Sequence, residues 1–474
     1  MSRILLVGVG PLPAGDLRRV YAPGLRLEAF LDALLRAGCD VHLGEIHFAG
    51  IDDAFRPAKR DGLVAHELLG PGLDAIIAGI DAIAEKSPPD AIVALTDIGC
   101  LAASRSKFGG PLHADFFGHP MAERQQQAYI HRSDASLHAQ WLDVLPTLLR
   151  ADRFSACSPS QRLALVGELG AAGRLNSQTC NLELVEVVPP TLPFSEPIVA
   201  KHPNYLETKG IPSGARVVFS SGGYNTWLDE ETMFRGIEDA LQRDTALHFV
   251  STGGAIEGHV EVVYTRFRER VAASPVADRF HLLGWVPHAE LLDAMLGAHV
   301  GINVDRQTLE GELGCRNRIL GWLWTGMRVV STVSSDATAD LVRDGWVNPV
   351  TDGDWETLSA ALREQAHRLP ESDPATRRAA LRAAWGPENH FRALAQWARN
   401  PTSATDRPPC GTVDNPLANL HRAFLAHAAS SADTDAIRQR ARAIAARLSG
   451  SRALALYAKL RPETAALIDE LNRL

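Results

Sequence analysis

No Cys-x-x-Cys pair occurs in the 474-residue sequence; its six cysteines, Cys39, Cys100, Cys157, Cys180, Cys315 and Cys410, are scattered along it. That spacing excludes a zinc knuckle, a thioredoxin-type redox motif and a disulfide framework, and it points to reduced thiols in a cytoplasmic protein. There is no run of about 18 apolar residues, so no membrane span is expected. The apolar start at Ile4-Leu5-Leu6-Val7 is broken too soon by Gly10, Pro11 and Pro13 to resemble a secretory signal. Basic charge is not in excess either. Lys plus Arg number 48 against 56 Asp plus Glu, a formal −8, which provides no global field for nucleic acid or an anionic membrane surface. The dinucleotide fingerprint G-x-G-x-x-G is missing: after Gly8-Val9-Gly10 the turn holds Pro11 and Pro13, and the next glycine is Gly15. No solenoid repeat is present.

What is present is an ordinary globular balance, 46% hydrophobic and 22% charged, arranged as apolar runs of strand length alternating with amphipathic stretches of helix length. The pattern runs twice. The first series predicts strands at 3–9, 40–45, 91–95, 111–116, 154–158 and 184–188, with a helix at 25–37, another before 91 and one long helix over 121–149. A proline-rich segment, Pro189-Pro190-Thr191-Leu192-Pro193 followed by Pro197 and Pro203, breaks both helix and strand and reads as an interdomain connection. The second series predicts strands at 217–220, 247–251, 280–283, 300–304 and 328–331. These imply two doubly wound α/β domains over 1–195 and 196–400. The linker-like stretch that begins at Pro401 opens a third segment, 401–474. It has ten Lys or Arg against seven Asp or Glu, with helical patterns at 435–448 and 453–460.

Open parallel sheets bind ligands at the carboxyl ends of their strands, and the glycine-rich loops fall there. Gly8 and Gly10 follow the first strand, where a missing side chain lets backbone N–H groups approach a phosphate. In the second series Ser220-Ser221-Gly222-Gly223-Tyr224-Asn225-Thr226-Trp227 follows a strand and offers hydroxyl and amide donors to an anion; a tight structural turn is the alternative. Ser251-Thr252-Gly253-Gly254 and Gly284-Trp285-Val286-Pro287 end the next two strands and suit a planar base. The densest cluster runs from Asn303 to Arg318. Glu310 and Glu312 can grip sugar hydroxyls, and Arg316 and Arg318 can hold an anion beside a helix start; a mutually neutralised surface is the alternative. In the first series Asp115 and His119 end a strand that faces the same cleft and could orient a sugar hydroxyl, although His119 could equally be structural. His42, His47 and His113 form no convincing ligand set, so no metal is expected.

At these positions the chain resembles a known group. Gly10-Pro11-Leu12-Pro13, Ala22-Pro23-Gly24-Leu25-Arg26, Gly167-Glu168-Leu169-Gly170 with Gly173-Arg174-Leu175, Gly222 to Trp227, and Arg316-Asn317-Arg318 through Gly326-Met327-Arg328-Val329-Val330 are similar to the retaining nucleotide-sugar glycosyltransferases of family 4 (group 1). The likeness spans roughly 3–395. It implies the GT-B architecture, two Rossmann-like domains facing a cleft, and metal-independent transfer of a sugar from a nucleoside diphosphate to a small-molecule acceptor, with no cofactor. It also implies that Gly8 and Gly10 back the diphosphate from the first domain. From the second domain, Gly222, Gly223, Tyr224, Asn225, Thr226, Arg316 and Arg318 would hold it, Gly284, Trp285 and Val286 would lie by the base, and Glu312, Leu313 and Gly314 would complete the donor site. Glu310, Asp115 and His119 would serve catalysis. The sequence departs from the family twice. Trp227-Leu228-Asp229 replaces a common basic residue, and the positions eight after Glu310 and Glu312 are Arg318 and Leu320 instead of a second glutamate.

Two rivals remain open on sequence alone. A dinucleotide-dependent oxidoreductase would use the first glycine loop and Glu45, which ends the second strand where a ribose-binding acid can sit. A catalytically degenerate relative would act as a binding partner.

Overall fold

A computed structural model of the chain describes residues 1–13, 17, 19–47, 55–70, 72–193, 200–256, 261–368 and 373–406. Gly15, the expected boundary at 195/196, and the expected helices at 435–448 and 453–460 lie outside the described residues.

Seven strands form the first sheet: β1 (Arg3–Val9), β2 (Asp40–His47), β3 (Leu63–Leu69), β4 (Ala91–Leu95), β5 (Leu112–Phe116), β6 (Arg153–Ala156) and β7 (Val185–Val187). Their order is β3-β2-β1-β4-β5-β6-β7, and every pairing is parallel. A parallel sheet must be covered on both faces, and β1 shows why this sequence complies. Ile4, Leu5, Leu6 and Val7 are all fully buried; Ile4 and Leu6 join one apolar cluster with Phe30 and Leu34, whereas Leu5 and Val7 join another with Ile80 and Leu145. Side chains that alternate between the two faces of the strand thus anchor helices above and below.

The second sheet repeats the arrangement with β8 (Arg216–Ser221), β9 (Leu247–Thr252), β10 (Phe280–Gly284), β11 (Val300–Asn303), β12 (Arg328–Thr332) and β13 (Val347–Val350), ordered β10-β9-β8-β11-β12-β13 and again parallel. Val217 and Phe219 pack with Trp322 on one face, and Val218 packs with Phe249 and Phe267 on the other.

Three elements differ from the sequence expectation. The single helix over 121–149 is two, Pro120–His131 and Leu137–Arg150, because Arg132 adopts a left-handed φ of 52° and the turn that follows redirects the chain. The strands β3 and β13 are additional. Both are edge strands, β3 interrupted by His66 and Glu67 and β13 containing Pro349, so neither has the continuous apolar run of a central strand.

The chain also returns. Beyond the second sheet, the helices Pro387–His390 and Arg392–Arg399 place Phe391, Leu394, Trp397 and Ala398 in the cluster that holds Ile4 and Leu6. Phe391 meets Phe30 edge to face at 5.0 Å. Asp406 forms a buried ion pair with Arg174 at 2.7 Å. Among the described residues, no helix is long and apolar enough to cross a membrane.

Candidate functional site

The strand order reverses beside β1 in the first sheet and beside β8 in the second, and loops diverging from such points leave a crevice. The two crevices face each other. Gln126 Nε2 donates to Thr226 O at 3.2 Å, the His288 amide donates to Leu17 O at 2.9 Å, and Tyr21 lies 5.6 Å from the ring of Trp285, all across the domain boundary.

In the second domain the loop after β8 is shaped by glycine. Gly222 has φ 90°, and Gly253 at the end of β9 has φ 94°; a Cβ on Gly253 would run into the Gly222 carbonyl. The Gly222 and Tyr224 amides donate to Thr252 O and Gly254 O, each at 3.0 Å. No acceptor meets the Gly223 amide between them among the described residues. Three buried polar atoms around this loop, Asn225 Oδ1, Thr226 Oγ1 and Thr252 Oγ1, have no hydrogen-bond partner.

Arg318 lies over this loop. It projects from the helix Asn317–Trp324, and its Nη2 donates to Gly223 O at 3.1 Å. A Cβ on Gly222 would sit 3.5 Å from the same nitrogen. No carboxylate forms an ion pair with Arg318 among the described residues. Burial lowers its proton affinity and neighbouring Arg316 adds to this, with Asp305 opposing. A guanidinium half-removed from water without a counter-ion is a site for an anion.

Arg316 is different. Its Nε donates to Asp305 Oδ2 at 2.6 Å and its Nη2 to Glu310 Oε2 at 2.8 Å, and its guanidinium stacks 4.8 Å from the Trp227 ring. Burial works against its charge, but the two carboxylates outweigh it and hold Arg316 firmly protonated. Its expected place on a diphosphate gives way to a closed ion-pair cluster that fixes the loop. Glu310 is correspondingly engaged, and Glu312 is exposed. Leu313 and Gly314 are buried beneath, where a Cβ on Gly314 would press on Glu310 O.

Tyr224 also departs from its expected role. Its ring packs among Tyr264 and Phe267 and its hydroxyl meets Ser251 Oγ at 2.9 Å, so it belongs to the core. Gly284, with φ 69°, ends β10, and Trp285 and Val286 follow it partly exposed; the indole N–H donates to Ala255 O at 3.0 Å.

The glycines of the first domain answer to packing. A Cβ on Gly8 would approach Leu27 Cδ1 to 2.8 Å, one on Gly10 would collide with Glu45, and the Gly10 amide already donates to Ile46 O. The Gly10 amide is thereby held within the sheet. Glu45 itself is buried, accepts from the Leu12 amide at 3.2 Å and pairs with His47 at 2.7 Å. Its other oxygen, Oε2, has no hydrogen-bond partner among the described residues but is enclosed, so the carboxylate is not exposed to a dinucleotide ribose.

Asp115 is enclosed as well. Arg26 grips it with two hydrogen bonds of 3.0 and 2.7 Å and Ser155 donates to the same carboxylate, so it orients the strand end instead of meeting a substrate. His119 caps the helix Pro120–His131: its Nδ1 accepts from the Ala122 amide at 3.2 Å, which leaves Nε2 to carry the proton 3.4 Å from Glu168. Burial lowers the pKa of His119 and raises that of Glu168 to about 7.

One group that the sequence did not single out completes the site. Glu123, in the first turn of the helix that His119 caps, is pushed up to about 7 by burial, then by Asp97 and Glu310, against Arg124 and Arg316. It is a first-domain carboxyl coupled to the second domain's ion-pair cluster, hidden in the sequence inside the expected long helix. Thr96, with φ 62° at the end of β4, is another feature without a sequence signal. Among the described residues no cluster of three or more His, Cys, Asp or Glu is arranged to hold a metal.

No protein-family model and no curated protein matches the sequence. Solved structures do match the fold. Sucrose-phosphate synthase from Thermosynechococcus elongatus superposes with a TM-score of 0.63 at 15% identity over 84% of this chain and 98% of that one. For α,α-trehalose 6-phosphate synthase from Burkholderia multivorans the figures are 0.56, 14%, 84% and 96%. Anabaena HepE in complex with UDP and glucose gives 0.55, 14%, 84% and 99%. The chain therefore has the two-domain GT-B fold of these proteins.

Proposed function

We propose that the protein is a glycosyltransferase that moves a sugar from a nucleoside diphosphate to a small-molecule acceptor, with retention of configuration and without a metal. The observation that carries this reading is Arg318: a cation with no carboxylate partner among the described residues, seated on a glycine turn of positive φ at the switch point of the second sheet. The fold it shares with HepE, which is described in complex with UDP and glucose, supports it. So does the burial of Glu45, which disfavours dinucleotide chemistry.

In this account Arg318, the Gly223 amide and the side chains of Asn225, Thr226 and Thr252 bind the diphosphate. Gly222 and Gly284 give their turns the required backbone, Trp285 and Val286 flank the base, and Glu310, Glu312, Leu313 and Gly314 shape the sugar pocket. Charge grows on the diphosphate as the anomeric C–O bond breaks, so a fixed guanidinium favours the transition state over the ground state. The acceptor attacks from the face that the diphosphate leaves, and its proton passes to a leaving phosphate oxygen. His119 and Glu123 border the acceptor from the first domain.

The test is turnover of UDP-, GDP-, dTDP- and ADP-glucose in EDTA with a library of sugar and aglycone acceptors, with the anomeric configuration of the product read by proton NMR. Release of one nucleoside diphosphate with an axial product supports the reading. Absence of turnover with every donor, or an inverted product, overturns it.

A further inference from the structure

A groove of about 500 Å³ opens between the domains, within the size range of small-ligand sites. The second domain supplies most of it, from the turn that leads into the helix Leu309–Leu313 and from the loop after β12 with the helix Asp336–Arg343 that follows. The first domain supplies Ser160, in the first turn of the helix Pro159–Ala171. Asp336 joins the two walls: its Oδ2 accepts from the Ser160 amide at 2.7 Å, and its Oδ1 accepts from the Ser160 hydroxyl at 3.1 Å. The groove is therefore complete only when the domains are closed. Glu312 also lines it, so it continues from the proposed donor-sugar pocket.

The lining is polar, and its groups keep hydrogen-bonding capacity after their own contacts are made. Thr308 Oγ1 accepts from the Gly311 amide at 3.2 Å, which leaves its O–H to donate. Ser334 Oγ donates to Asp305 Oδ2 and Gln307 Nε2 donates to Val333 O, each at 3.1 Å, which leaves the Ser334 oxygen and the Gln307 side-chain carbonyl to accept. The Glu312 carboxylate is exposed, with no ion pair among the described residues. Donors and acceptors interspersed in this way match hydroxyl groups, each of which does both. Leu309, 49% exposed, adds an apolar patch for the C–H face of a sugar ring. Charge sets a limit. Glu312 and Asp336 line the groove, and no Lys, Arg or His does so among the described residues. Two carboxylates without a cation repel a phosphate or a carboxylate.

We propose that this groove is the acceptor site and that it takes an uncharged sugar, a glycoside or short oligosaccharide, in preference to a sugar phosphate or a sugar acid. The inference rests on the transfer reaction proposed above and names its acceptor class. The acceptor ring lies against Leu309, its hydroxyls meet Thr308, Ser334 and Glu312, and the reacting hydroxyl is the one turned toward the donor pocket that Glu312 shares. Because Ser160 and Asp336 come from different domains, an acceptor seated here also favours the closed arrangement.

The test reads binding first, on the full chain and without a donor. Saturation-transfer NMR and calorimetry use maltose, cellobiose and lactose as neutral probes, with glucose 6-phosphate and glucuronic acid as anionic ones. At least one neutral disaccharide should bind, and the anions should not. Ala339→Trp fills the groove from an exposed helix position outside the donor site. It should weaken the disaccharide about tenfold or more and raise its KM likewise in a transfer assay, while nucleoside diphosphate affinity and the thermal midpoint stay at their wild-type values. Leu309→Ala, also at an exposed position, should weaken the sugar in the same direction. If no neutral disaccharide binds, if glucose 6-phosphate binds better than all of them, or if neither variant changes sugar affinity, the proposal is overturned. Sugar binding in the groove without transfer from any donor overturns the transfer reading, whereas transfer to a charged acceptor that Ala339→Trp leaves unchanged overturns this inference alone.

Discussion

Replacing Glu123 by glutamine should make the protein more stable at alkaline pH and leave it nearly unchanged near pH 4.5. The folded state raises this carboxyl from 4.5 to about 7, first by burial and then by the charges of Asp97 and Glu310. At about 1.4 kcal/mol per unit, that shift amounts to about 3 kcal/mol. The sign follows from proton linkage. Below the unfolded value both states hold the proton and nothing is lost; as pH rises toward 7 only the unfolded state ionises, and stability falls until the folded carboxyl ionises too. Glutamine mimics the protonated form in both states and removes the loss. Urea midpoints of wild type and Glu123→Gln, followed by fluorescence from pH 4.5 to 8.5, should diverge by the equivalent of about 3 kcal/mol and plateau above pH 7. A difference that does not change with pH would show that Glu123 is solvated and refute its placement in the closed cleft.

Asp115→Asn should lower stability by about 3–5 kcal/mol in the same denaturation assay, because it leaves buried Arg26 without its charge partner. Gly253→Ala should cost about 1–3 kcal/mol or more, from a left-handed φ and a clash with Gly222 O, and should also weaken nucleotide binding measured by thermal shift. Transfer should survive EDTA, with product formation followed by chromatography; loss in EDTA and recovery with Mn²⁺ would contradict the metal-independent account.

The central strands were legible because burial on both faces writes them as unbroken apolar runs, as at Ile4 to Val7 and Ala91 to Leu95. The edge strands β3 and β13 were not, since an edge tolerates His66, Glu67 and Pro349. The glycine loop at Gly222 and the cluster from Asn303 to Arg318 could be located from residue type and strand ends. Roles within the cluster could not. Sequence treats Arg316 and Arg318 alike, and only folding pairs Arg316 with Asp305 and Glu310 while leaving Arg318 with a carbonyl. Likewise Gly10 reads as a phosphate loop until Glu45 is seen packed against it. Glu123 carries no local signal, because its raised pKa comes first from burial in the fold and then from Asp97 and Glu310, distant in sequence.

The central claim is that the second-domain crevice binds a nucleoside diphosphate through Arg318, and calorimetric titration of UDP, GDP, dTDP, ADP and NAD tests it most directly. One nucleoside diphosphate should bind, NAD should not, and Arg318→Ala should weaken binding by about 10- to 100-fold, the worth of a charge-assisted hydrogen bond. Binding of NAD in place of every nucleoside diphosphate, or equal affinity in wild type and Arg318→Ala, would contradict the account.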